Sequence, residues 1–288
     1  MIRRSLVGIF RETLHSPERV FDDFEILRLT GEALRANGVE VDLARPERIA
    51  SSVERSAEPP PEVVFLMCEQ ERILTRLSEW EVLGTVLVNS PQSIRNTYRH
   101  RMIPLLSAGG VPFPKSELVR TSGPLERTQF RSSFLETKPL WVKRGDVHNT
   151  QQGDVLMACS FESVSEQLRA LRSRGVSQAV LQEHVEGDLI KLYGIGQSAE
   201  TWFRWFYHRD QNLMRYGFSE EALREVFFGA AKILGLEIFG GDAVVGRDGS
   251  IHVIDINAWP SFALFRGEAS EAIARHILSK VLDPVRSA

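Results

Sequence analysis

Residues 241–257, GDAVVGRDGSIHVIDIN, constrain the fold more than any other stretch of the chain. The apolar runs AVV and IHVI flank Asp248-Gly249, and Asp-Gly between such runs is a strong hairpin signal. A two-residue turn at Asp248 and Gly249 makes Arg247 face Ser250, and counting outward sets Asp242 opposite Asp255. Opposed residues of a hairpin have Cβ atoms about 5 Å apart, where like charges destabilise a sheet. Asn257 lies two residues on and points to the same face as Asp255, while His252 falls on the other. Two carboxylates and an amide are thus expected on one sheet face. Hard divalent cations such as Mg²⁺ take oxygen ligands of this kind and share them with phosphate. A bound cation would turn the repulsion into attraction. The alternative makes Asp242 a strand-end residue and Asp255 an ion-pair partner.

The 288 residues are 43% hydrophobic, enough for a large core spread over two or three subdomains. The net charge is −3 with charges of both signs, which offers no stripe for nucleic acid and no basic face for a membrane. Cys68 and Cys159 stand in unrelated contexts, a usage that suits a reduced, cytoplasmic location. The apolar run Leu6–Phe10 is cut by Arg11 and Glu12, and no stretch approaches the roughly 20 apolar residues of a spanning helix.

Strand and helix patterns alternate through the first ninety residues: SLVGIF, DDFEILRLTGEALRANG, VEVDLA, VVFLMC, ERILTRLSEW and TVLVN. That rhythm predicts a small parallel sheet with packed helices. Ligands of such sheets sit beyond the carboxyl ends of the strands, which makes Arg11 and Glu12 candidate substrate contacts. NSPQ opens a helix through residues 93–110, where Pro104 is expected to mark a kink or break. PLWVKR, QAVLQEHV, LIKLYGIG and the aromatic TWFRWFYH read as further strands. FESVSEQLRALRSRG, SEEALREVFFGAAKILGL and EASEAIARHILSKVL read as helices.

Three further groups carry chemistry. Lys143 ends a strand before a loop containing Gly145 and Gly153, a pattern able to hold phosphate, although it lacks the full P-loop signature. In VLQEHVEGDLIKLYGIG, the backbone from Gln182 to Val185 can present a carbonyl and an N–H to a flat heterocycle. Glu186 or Asp188 can accept from ribose hydroxyls, and Lys191 can reach phosphates. Arg266 is placed to hold an anionic substrate, with Arg204 and His148 as weaker candidates. Trp202 and Trp205 line either a cleft or an interface, which leaves a homodimer open.

Together these pieces resemble the ATP-grasp superfamily over nearly the whole chain. NSP at 89–91, Arg99 and GVPFP at 110–114 are similar to the family's linker and helix; Arg99 stands where lysine is usual, with Arg101 as the fallback. WVKR resembles the strand with the main ATP lysine, here Lys143, and VLQEHVEGD the adenine-binding hinge, which implies the backbone of Glu183 and Val185. The most specific match is D-x₁₂-D-x-N-x-x-P, standing as Asp242, Asp255, Asn257 and Pro260. The resemblance implies an α/β fold: a small Rossmann-like N-terminal domain (1–88), then two α+β subdomains (89–185 and 186–288) that clasp ATP. It implies two Mg²⁺ ions held by Asp242, Asp255 and Asn257, with phosphates on Lys143, Lys191 and Arg99.

The activity implied is an ATP- and Mg-dependent ligase that joins a carboxylate to an amine or thiol through an acyl phosphate. IDINAWPSFALFRG is also similar to the inositol-phosphate kinase branch, except that Ser261 replaces its usual glycine. A small-molecule kinase acting on a polyol or inositol phosphate is therefore the alternative. The second alternative, a non-catalytic nucleotide-binding regulatory module, sits poorly with an intact Asp242, Asp255, Asn257 and Lys143. An anionic small-molecule substrate is expected in either enzyme.

Overall fold

The computed structural model describes residues 5–16, 19–51, 59–123, 134, 138–147, 150–198 and 201–282. Strands β1 (Ser5–Ile9), β2 (Glu40–Ala44), β3 (Val63–Leu66) and β4 (Val86–Val88) form a parallel sheet in the order β2-β1-β3-β4. β3, VVFL, is buried along its whole length, as a parallel strand covered on both faces must be. Helix α1 (Val20–Ala36) buries Ile26, Leu27, Thr30 and Leu34, the spacing of one helical face turned to a core. The short α2 (Pro46–Ser51) has no counterpart in the pattern reading, whereas α3 (Glu71–Val82) falls where it was expected.

The helical stretch after β4 divides into α4 (Pro91–Asn96) and α5 (Arg99–Ala108). Ser90 caps α4 by accepting from the Ser93 N–H, with Pro91 in the first turn. The break falls at Thr97–Tyr98, and Pro104 lies inside α5, contrary to the expectation from its side chain alone. Tyr98 is extended (ψ 127°), and its hydroxyl donates to the Glu69 carbonyl, which turns the chain there.

An antiparallel sheet follows: β5 (Ser116–Arg120), β6 (Leu140–Arg144), β7 (Val155–Ala158) and β8 (Gln178–Glu183), ordered β5-β8-β6-β7. Helix α6 (Phe161–Ser173) covers one face through Val164, Leu168 and Leu171. The third sheet is β9 (Asp188–Ile195), β10 (Trp202–Tyr207), β11 (Ile238–Val245) and β12 (Ile251–Ala258), ordered β10-β9-β11-β12. Helix α7 (Glu220–Leu234) packs on it. Ser219 caps its start, and Gly235 (φ 78°) closes its end in the left-handed conformation that glycine adopts without cost.

The β11–β12 hairpin pairs Asp242 with Asp255, but by a different route from simple counting. Near the turn the partners are Val245↔Ile251 and Ala243↔Val253, one residue off the expected register. Three residues rather than two make the loop, with Gly249 left-handed (φ 80°) and Gly246 N–H bonded to the Ser250 carbonyl. A bulge at Ile254 then restores the count. The bulge decides which way Asp255 points. Ile251 and Val253 face the apolar core, and without the extra residue Asp255 would follow them; with it, Ile256 and Ala258 take the core face instead. It also puts His252, partner of Val244, on the same face as Asp242, not the opposite one.

Helix α8 (Arg266–Leu282) runs back onto α1. Trp259, Phe262, Ile273 and Ile277 share one core with Leu6, Ile26, Leu27 and Phe65, so the first and third sheets are joined by common packing. On β10, Phe203 packs against Phe228 while Trp202 meets Phe262 and Phe265, so these rings belong to the core.

Candidate active site

A cleft of about 250 Å³ opens between the first sheet and the β11–β12 hairpin, lined by Arg11, Arg19, Arg99, Lys191, Asp242, Asp255, Asn257 and Ser261 among others. Lys191 on β9 is level with Asp242, and its Nζ lies 2.8 Å from Asp242 Oδ1. Arg99, in the first turn of α5, donates from Nη2 to Asp255 Oδ2 at 2.6 Å. Each carboxylate of the opposed pair thus has its own cation, which answers the like-charge problem in this state. Arg99 rather than Arg101 faces the cleft: Arg99 is buried and Arg101 exposed, two residues apart on one helix.

Lys143 on β6 is 5% exposed, and its Nζ makes no hydrogen bond or ion pair among the described residues. Burial pushes it down to about 8 from 10.5, against the opposing pull of Asp255 and Asp242; Arg99 adds to the lowering. A buried cation with no acceptor among the described residues is placed to receive an anion. Gln182 stands on the same face of this sheet, since Lys143 pairs with Val180 and Trp141 with Gln182. Its Nε2 donates to Ser116 Oγ at 3.2 Å, and the Ser116 hydroxyl proton is committed to the Pro114 carbonyl. That commitment orients the amide. Gln182 Oε1, fully buried, finds no donor among the described residues. The Val185 N–H is likewise unbonded among them, while Glu183 uses its own N–H on the Lys115 carbonyl.

The oxygen donor set of Asp242, Asp255 and Asn257 suits a hard cation that shares its sphere with phosphate. Among the described residues, no group of three or more His, Cys, Asp and Glu side chains gathers as a metal centre. Of the residues that line the cleft, the hairpin supplies two carboxylates and an amide.

Several candidates are placed elsewhere. Arg266 pairs with Asp22 of α1 because α8 packs on that helix, so it does not line the cleft. Asp188 is buried and spends both oxygens on the backbone N–H groups of Met214 and Tyr216, each at 2.8 Å. It braces the 208–217 loop from a buried position, while Glu186 is exposed. Arg204 pairs with Glu268 on the surface. Arg11 is bound to Glu69 at 2.5 Å and lies 3.3 Å from Asp23. Glu12 accepts from the Glu69 and Gln70 N–H groups at the start of α3. His148 lies outside the described residues. Pattern reading passed over Arg19, His15, Ser16 and Asp23, which line the cleft. The rule that ligands gather past strand ends points to this whole loop and not to Arg11 and Glu12 alone.

No family model matches the sequence, and no curated protein does. Solved structures do match the fold. D-alanine–D-alanine ligase from Bacillus anthracis, complexed with ATP, superposes with a TM-score of 0.74 over 98% of each chain at 13% identity. The ATP-grasp ligase PsnB, with its minimal precursor, Mg and ADP, gives 0.64 at 20% identity, covering 95% of this chain and 97% of that one. D-cycloserine synthetase DcsG gives 0.69 at 19%, over 96% and 99%. The chain therefore has the ATP-grasp fold over almost its entire length.

Proposed function

We propose that the protein is an ATP- and Mg-dependent ligase that joins a carboxylate to an amine through an acyl phosphate. The observation that carries the reading is Lys143, a buried ammonium with no acceptor among the described residues, on the sheet face that also holds Gln182, whose Oε1 is unpaired among them. ATP answers both, with phosphate for Lys143 and the adenine amine for Gln182 Oε1. The Glu183 carbonyl and Val185 N–H border the base, and Glu186 is left for the ribose. Asp242, Asp255 and Asn257 would hold Mg²⁺, which when bound offsets charge on the phosphates. Lys191 and Arg99, held 2.8 and 2.6 Å from the two carboxylates, would be free to meet phosphate oxygens once those carboxylates held a cation. The protein's work in such a reaction is positioning and charge neutralisation.

The cation balance favours the ligase over the kinase. A polyphosphorylated polyol needs several cations beyond those that meet ATP, whereas Arg11 and Arg266 each already hold a carboxylate. Two of the structures similar in fold, that from Bacillus anthracis and PsnB, are themselves ligases by name. The test is phosphate release from ATP and Mg²⁺ across amino acids, short peptides and polyols, with Asp255→Ala as control. Release requiring both a carboxylate and an amine, with a new amide product, is expected. A phosphorylated polyol without free phosphate would establish the kinase instead, and equal behaviour of wild type and Asp255→Ala on every substrate would remove the catalytic reading.

A further inference from the structure

Ser261 is buried, it lines the cleft, and its hydroxyl finds no partner among the described residues. A buried hydroxyl left unpaired is costly, so its retention asks for a group from outside the chain. The backbone that presents it is costly too. Trp259 (φ 34°) and Phe262 (φ 50°) both occupy the left-handed region that side chains avoid, and both rings are fully buried. Arg11 Nη2 donates to the Trp259 carbonyl at 2.7 Å and to that of Ala258 at 3.3 Å. Gly240 leaves the room Pro260 occupies: a Cβ there would stand 2.7 Å from Pro260 Cγ. Pro260 and Ser261 are thus clamped between two anchored aromatics, against a glycine and under an arginine. Strained backbone that its surroundings hold in place gathers at ligand sites.

Arg19, just ahead of α1, lines the same cleft as Ser261 and Asn257. Arg11, Arg99 and Lys191 are each matched to a carboxylate, but Arg19 forms no ion pair among the described residues. A guanidinium and a free hydroxyl supply charge-assisted donors suited to one planar, singly charged anion. With Arg19 the one arginine or lysine of this cleft outside an ion pair among the described residues, a singly charged anion is matched and a dianion is not.

We propose that Arg19 and Ser261 form a recognition subsite for a carboxylate that does not react, the terminal α-carboxylate of an amino acid or short peptide substrate. This rests on the ligase reading and narrows it: the amine partner brings its own carboxylate. Neither residue touches the reacting atoms, so both act on affinity for that partner.

The test is calorimetric titration of the full chain, loaded with ADP and Mg²⁺, with alanyl-alanine of either chirality and with the corresponding C-terminal amides. For the preferred enantiomer the acid is expected to bind at least tenfold more tightly than the amide. Ser261→Ala and Arg19→Gln are each expected to cut that preference below threefold while ADP affinity holds and neither variant melts below the wild type. A merely structural role would move the melting temperature and leave the acid-to-amide ratio alone. Equal binding of acid and amide by the wild type, persistence of the preference in both variants, or no dipeptide binding at all beside normal ADP binding overturns the subsite and spares the ligase reading. Failure of the wild type to bind ADP with Mg²⁺ strikes the ligase reading itself.

Discussion

Lys143 pays for its position with desolvation, and that cost makes function and stability move in opposite directions. Lys143→Met is expected to weaken ATP binding at least tenfold, about 1.4 kcal/mol, in a calorimetric titration. The same change is expected to raise the melting temperature, because a buried charge without a partner among the described residues is replaced by a side chain that packs. A variant that binds ATP as the wild type does would dismiss Lys143 from the phosphate site. The titration of this lysine gives a second prediction. Its folded value of about 8 lies below the unfolded 10.5, so between those limits the unfolded chain binds more protons. Stability from this group therefore rises as pH climbs from about 8 to 10.5. ATP affinity falls over the same rise, since the ammonium that meets phosphate is lost above 8. Urea melts and ATP titrations at pH 7 and 9.5 check both, and Lys143→Met should show neither trend from this group. Residue patterns set Asp242, Asp255 and Asn257 on one sheet face, where the structure also has them, because that placement is tied to local spacing. They could not place Arg266 beside Asp22, because that partner lies 244 residues away and is set by how α8 packs on α1.

At the scale of elements, Asp188 separates two readings of one acidic residue. It opens β9, and spacing alone offered it to a ribose as readily as Glu186. Its two oxygens instead hold the N–H groups of Met214 and Tyr216 across the 208–217 connection. Asp188→Ala should therefore cost about 2 kcal/mol, the loss of hydrogen bonds to a charged acceptor. It should also expose the connection to limited proteolysis and leave ATP affinity within twofold. A large loss of affinity without a change in stability would return Asp188 to the nucleotide. The hairpin shows the complementary limit. Counting from Asp248-Gly249 reached the pairing of Asp242 with Asp255 because two departures cancelled, a longer turn and the bulge at Ile254. Nothing in the alternation of AVV and IHVI signals a bulge. Its physical reason lies in the third dimension, where regular pleating would drive a carboxylate into the core that Ala243 and Val253 line.

Across the whole molecule, the cleft depends on the union of the first and third sheets, and Arg11 is the polar part of that union. It leaves the end of β1, meets Glu69 and Asp23 beside the parallel sheet, and donates to the carbonyls that close β12. Around it, Trp259 and Phe262 pack with Leu6, Ile26 and Phe65. Burial alone would lower this arginine, but the surrounding Glu69, Asp23 and Glu12 more than reverse it and hold it raised. Arg11→Met removes the cation and leaves buried carboxylates uncompensated, a loss of about 3–5 kcal/mol for a broken buried pair. Trp259→Phe removes part of the same seam from the apolar side. Because both changes loosen one contact between sheets, their effects are expected to fall short of additive by 0.5 kcal/mol or more, on the order measured for coupled neighbours. Urea denaturation of the two single variants and the double variant measures that coupling directly. Strict additivity would mean that the sheets are held by independent contacts. The loop carrying Pro260 and Ser261 would then owe its geometry to the hairpin alone, and not to the domain across the cleft.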